Sequence, residues 1–200
     1  GTSNVAVGAL ALDANTTGNQ NIAVGKAALG ANTTGTANTA LGHAALVTNT
    51  TASNNTSVGW ESMRYNTTGH SNTAVGYIAL TANTTANHNA GFGYWALKSN
   101  TTGTGNTGLG SNAARTITTG SYNTAAGTYS LSNVTTSSNN SAFGYQALAE
   151  NTSGANNTAV GKDALAANTT GGQNAAFGYF ALLGNTSASN NCAFGNQAAQ

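Results

Sequence analysis

The chain has 200 residues, of which only 4% are charged, with a net charge of +1 and one cysteine, Cys192. A typical soluble domain carries about 25% charged residues, so this chain lacks the electric field that would attract nucleic acid, an anionic membrane or an acidic substrate. No intrachain disulfide can form, and no apolar run approaches the roughly 18 residues of a transmembrane helix.

A glycine recurs every 17 residues, with no insertion or deletion. We number each repeat from this glycine as position 0: Gly8, Gly25, Gly42, Gly59, Gly76, Gly93, Gly110, Gly127, Gly144, Gly161, Gly178 and Gly195. A constant period predicts coils stacked in register, because one inserted residue would misalign every column. Seventeen residues are too few for a helical hairpin and suit one coil of an all-β, parallel β-solenoid. We therefore expect one repeat array over residues 1–200, with about eleven coils and a length of about 50 Å.

Within each repeat, position −4 is always asparagine. The members of this column are Asn4, Asn21, Asn38, Asn55, Asn72, Asn89, Asn106, Asn123, Asn140, Asn157, Asn174 and Asn191. Stacked identical amides can hydrogen-bond along the axis and to turn backbone. Together with the glycines, they are predicted to form a structural ladder.

Positions −3 to −1 are predicted to form a strand. The Thr or Ser at −3 and the Val, Leu or Phe at −1 share one face, which we expect to point inward. Position −2, always Ala, Ser or Gly, would then point outward against another chain or layer. The small residues at +3 indicate the same contact, although cramped turn geometry is an alternative.

Position +1 is aromatic in several repeats: Trp60, Tyr77, Tyr94, Tyr145 and Tyr179. These are candidate surface-binding residues for sugars or neighbouring fibres, although the rings could instead brace adjacent coils. The stretch "YIALTAN", residues 77–83, also has offsets that permit a short helix instead of a second strand.

The few charged residues all fall at positions +1, +2, +5 and +6, away from the strand. No convergent set of titratable groups or metal ligands is apparent. We therefore predict no catalytic site, no cofactor and no metal.

Nine repeats carry an N-glycosylation sequon at position +7: Asn15, Asn32, Asn49, Asn66, Asn83, Asn100, Asn151, Asn168 and Asn185. Glycans on every coil would be about 4.8 Å apart, so sparse or no occupancy is expected, with a sugar-coated fibre as the alternative. In each of these sequons the asparagine is followed by two adjacent Thr or Ser residues, as Asn83 is by Thr84 and Thr85. Ice-binding faces use alternate threonines, and adjacent ones are expected to point to opposite faces.

The segments "NTAVG", "NTALG" and "NNTAVGKDAL" resemble the head repeats of trimeric autotransporter adhesins. The longer unit "GYQALAENTSGANNTAVG" is similar to repeats of phage tail fibres and bacterial surface proteins that end in an endosialidase-type intramolecular chaperone. The resemblance implies an elongated, trimeric β-roll with interlocked chains, and it covers the whole chain.

The sequence thus favours a non-catalytic segment of an extracellular fibre or adhesin, at a cell or virion surface and part of a longer fibrous protein. Self-association is the expected partnership, with surface glycans as a further partner and with neither nucleic acid binding nor membrane insertion. An ice-binding solenoid and a carbohydrate-binding fibre surface are the alternatives.

Overall fold

The computed structural model describes all residues from 1 to 200 and consists of parallel coils, as predicted. Each coil contributes one three-residue strand to a single sheet of twelve strands in sequential order. The strands are β1 (Val5–Val7), β2 (Ile22–Val24), β3 (Thr39–Leu41), β4 (Thr56–Val58), β5 (Thr73–Val75), β6 (Ala90–Phe92), β7 (Thr107–Leu109), β8 (Thr124–Ala126), β9 (Ser141–Phe143), β10 (Thr158–Val160), β11 (Ala175–Phe177) and β12 (Cys192–Phe194). Partners are always 17 residues apart, for example Thr73 with Ala90. The β-solenoid and its repeat are thereby confirmed.

Backbone pairing between coils continues beyond the strands. In the coil that begins at Asn72, the Thr73 N–H donates to Asn89 in the next coil at 2.8 Å, and the Leu80 N–H donates to Ala96 at 3.0 Å. The Thr84 N–H donates to Thr101 at 3.2 Å on the opposite side of the same coil. Because peptide groups pair around the perimeter, each coil is fixed by both neighbours and needs few large apolar side chains.

The strand has the opposite orientation to the one predicted. The small residue at −2 points inward, as Ala23, Ala40 and Ala74 show with 0% exposure. The side chains at −3 and −1 point outward, and at −1 Leu109 is 53% exposed. The small residues at +3, such as Ala79, are also fully buried rather than in contact with a neighbour. The predicted alternation of inward and outward side chains is confirmed, but the prediction of which positions face inward is wrong.

The narrow cross-section of the coil explains this orientation. At Gly91, an added Cβ would lie 3.3 Å from the Ala96 carbonyl oxygen and 3.4 Å from Leu80 Cδ1. A methyl group at position −2 therefore already reaches the opposite wall, and a Val or Phe would overfill the core. The core consists of two columns of small residues and one column dominated by Leu at +4, exemplified by the fully buried Leu80.

Left-handed backbone conformations curve the segment after each glycine. Ile78 has φ 56° and Leu80 has φ 51°. A right-handed helix cannot contain such residues, so the short helix considered for residues 77–83 is wrong, and the segment forms turns. The chain has no helix with the length and apolarity that a membrane crossing requires.

Candidate functional surfaces

The asparagines at position −4 form the predicted ladder. Each Oδ1 accepts the peptide N–H of the next asparagine in the column, at 2.9 Å from Asn89 to Asn72 and at 2.8 Å from Asn106 to Asn89. The Asn89 Nδ2 also donates to the carbonyl of Gly103 at 2.9 Å. The buried side chain thus satisfies main-chain groups in two coils, which explains why no other residue occupies this column.

A second ladder runs through the asparagines at position +7. The Nδ2 of Asn83 donates to Asn66 Oδ1 at 2.7 Å and to the Ala86 carbonyl at 3.1 Å. Two consecutive coils interrupt this column with the fully buried Ile117 and Val134. The ladder at +7 can therefore be broken within the same fold.

The ladder at +7 also determines whether the nine predicted sequons are accessible, because their asparagines are its members. Seven of their asparagines have 0% exposure: Asn32, Asn49, Asn66, Asn83, Asn100, Asn151 and Asn168. In Asn83, for example, two hydrogen bonds engage the amide nitrogen that would carry the glycan. The buried sites therefore have no room for a sugar, whereas Asn15 and Asn185 are half-buried.

Sequence reasoning missed five sequons outside position +7: Asn54, Asn139 and Asn156 at position −5, Asn55 at position −4 and Asn133 at position +6. Asn54, Asn139 and Asn156 are each followed by Asn and then Thr or Ser, and all three are exposed. The sequence signal was the Asn-Asn-Thr/Ser triplet, but only the structure shows that its first asparagine faces solvent.

These two classes of sequon predict different outcomes in a secreting eukaryotic cell. Folded protein should carry no glycan at Asn83 and can accept one at Asn54 or Asn156, because only the latter amides are free. Peptide mapping before and after enzymatic deglycosylation would measure occupancy site by site. A glycan on Asn83 in protease-resistant, folded protein would contradict the buried ladder.

The outward side chains of β1–β12 form a surface that we call the apolar face: position −1 is apolar in all twelve coils, and position −3 beside it is Thr or Ser in seven of them. At −1 its most exposed members in the interior coils are Leu41, Phe92, Leu109 and Phe143, with 39% to 53% exposure. The face contains no Lys, Arg, Asp or Glu in any coil. Sequence reasoning placed these residues in the core and therefore did not identify the surface.

The aromatic residues predicted at position +1 lie beside the apolar face, and they are 43% to 49% exposed. Tyr77 and Tyr94 stack with ring centroids 5.4 Å apart and an angle of 8° between planes. Trp60 stacks on His43 at 4.1 Å. Rings that stack from coil to coil cover each other's faces, so this arrangement fits bracing of the coils better than a platform for sugars.

A positively charged residue lies between the other two aromatic residues of this column. The amino nitrogen of Lys162 is 5.9 Å from the Tyr145 ring centroid and 5.2 Å from that of Tyr179, within the range of cation–π attraction. Its hydrogen bond to Asp163, at 2.5 Å, raises the pKa of Lys162. These contacts hold the Lys162 side chain against the rod.

The adjacent threonines were expected to point to opposite faces, but both reach the surface. Thr84 is partly exposed and Thr85 is exposed, because this segment is a bend and not a strand. The Thr84 hydroxyl donates to the Thr101 carbonyl at 3.2 Å. We call the outward residues at +8 and +9 the threonine edge; it runs along the entire rod.

The surface of the rod has no pocket, and no three His, Cys, Asp or Glu side chains come together to form a metal site. The candidate functional features described above are columns that extend along the rod. No protein-family model, curated protein or solved structure matches this chain.

Proposed function

We propose that this chain is a non-catalytic structural segment of an extracellular fibre or adhesin, forming a shaft or an adhesive surface on a cell filament or a tail fibre. The observation that carries the proposal is the hydrogen bonding between coils, which includes backbone pairs and the unbroken ladder at −4. Such a network transmits force along the axis through many parallel bonds, as a shaft requires.

Length provides the first test of this proposal. Coils at the parallel-strand spacing give a rod about 50 Å long, and duplicating residues 56–106, three repeats, should lengthen it by about 14 Å. Small-angle X-ray scattering and negative-stain imaging would measure both lengths. A compact particle, or no lengthening on duplication, would contradict the function as a shaft.

A second candidate function, ice binding, gains support from the threonine edge. Thr67 and Thr84 are fixed by hydrogen bonds to the next coil, and Thr68 and Thr85 present exposed side chains beside them. The result is an uncharged row of hydroxyl and methyl groups with a regular spacing of about 4.8 Å. Ordered repetition of this kind suits contact with a crystal lattice.

Thermal hysteresis tests this second function directly. The purified rod should separate its freezing and melting temperatures, and the triple variant Thr51→Lys, Thr85→Lys, Thr119→Lys should lose that separation. Wild-type protein with no hysteresis and no shaping of ice crystals would eliminate ice binding without affecting the proposed shaft.

A further inference from the structure

We infer that the apolar face is a lateral association surface whose occupant is the same face of a second copy of this chain. The inference rests on the proposed fibre function and specifies the partner and the surface. It differs from the sequence-based expectation, which placed the contact at the small residues of positions −2 and +3; in the interior coils the structure shows these residues buried inside the coil.

The first support is the chemistry of the face. Large apolar side chains occupy position −1 in every coil except that of Ala126. In the single chain they are half-buried or exposed, with Leu41 at 45% and Leu109 at 53% exposure. Monomeric proteins in water rarely expose a contiguous apolar patch of more than a few hundred Å². Since no charged group lies on the face, a second copy can cover it without burying an ion.

The second support is area. Twelve strands at parallel spacing make a face about 50 Å long and about 10 Å wide, which is about 500 Å² for each copy. Two copies would bury about 1,000 Å², the lower limit of a specific interface. The half-exposed aromatic residues at +1 adjoin this strip and can enlarge the contact, with their polar tips at the rim.

The third support is periodicity, which favours a second copy over an unrelated partner. Side chains on the face repeat at the spacing between strands, about 4.8 Å, and a second copy has the same spacing. Ridges of one copy can therefore fit grooves of the other at every coil. A partner without this period would match the face only locally.

Sedimentation velocity over a concentration series, with two matched variants, tests the inference. The face variant carries Leu41→Lys, Val75→Lys and Leu109→Lys, and the control carries Thr51→Lys, Thr85→Lys and Thr119→Lys on the threonine edge of the same three coils. The wild type and the control should associate, whereas the face variant should bind itself at least about 100-fold more weakly.

A milder variant, Leu41→Thr, Val75→Thr and Leu109→Thr, uses a residue already found outward at position −3 and should also weaken association if the lysine variant unfolds. Circular dichroism and rod length would confirm that the fold is retained. A wild-type rod that remains monomeric at all concentrations, or a face variant that associates like the wild type, would overturn the inference. A monomeric rod of the expected length would still support the proposed shaft.

Discussion

Replacing Gly76 by Ala is expected to lower the free energy of unfolding by about 4 kcal/mol or more, the range of severe single substitutions. Gly76 has φ 139°, and an added Cβ would lie 2.7 Å from the carbonyl carbon of Gly93 and even nearer to its oxygen. Both atoms belong to the backbone of the next coil, which is held by its own neighbours. Removing this steric overlap would require separating the two coils and stretching the 2.8 Å hydrogen bond from the Gly93 N–H to the Val75 carbonyl.

Gly184→Ala is the matched control. Its added Cβ would have only the Gln200 carbonyl carbon nearby, at 3.8 Å. That substitution should be neutral or stabilise by up to about 1 kcal/mol through the unfolded chain. Urea unfolding would measure the overall effect, and amide hydrogen exchange would detect local opening, because repeat arrays need not unfold in one step. Equal transitions for Gly76→Ala and Gly184→Ala would show that close approach of the coils is not required.

The period of the sequence predicted those features that depend on repetition alone. A glycine every 17 residues implies parallel, in-register stacking, and an invariant asparagine implies a ladder. The structure confirms both, with Asn72 and Asn89 joined across coils. These predictions needed no knowledge of the shape of one coil.

The orientation of the strand could not be predicted in the same way. Alternation allows two phases, and size suggested that Val75 would be inside and Ala74 outside. The coil is too narrow for this arrangement, because the wall carrying Leu80 lies within reach of a single methyl group at position −2. The small residue therefore faces inward and the large one outward. The width of the coil depends on left-handed turns at residues such as Ile78. Residues with β-branched or apolar side chains seldom adopt this conformation, so the sequence gives no sign of it. The same turns and bends explain why Thr84 and Thr85 both reach the surface.

The two asparagine ladders should respond differently to the same substitution. Asn89 at −4 and Asn100 at +7 both donate to the Gly103 carbonyl, at 2.9 Å each. If either asparagine is replaced, the other still donates a hydrogen bond to the Gly103 carbonyl oxygen. The two asparagines differ in the groups that their Oδ1 atoms accept: the Asn89 oxygen accepts the peptide N–H of Asn106 at 2.8 Å, whereas the Asn100 oxygen accepts a side-chain amide at 3.3 Å. All other partners of the Asn100 side chain are likewise side-chain amides, apart from the shared Gly103 carbonyl.

Asn89→Val is therefore expected to cost about 3 kcal/mol, because it leaves the peptide N–H of Asn106 buried without an acceptor. Asn100→Val also removes the 3.1 Å hydrogen bond from Asn100 to Asn83 Oδ1, but it orphans no peptide group and extends the apolar column of Ile117 and Val134, so it should cost less, about 1 to 2 kcal/mol. Denaturant unfolding of both variants measures the difference, and hydrogen exchange at Asn106 reports the orphaned N–H directly. Equal destabilisation by the two variants would show that the invariance of position −4 does not arise from its bond to the main chain.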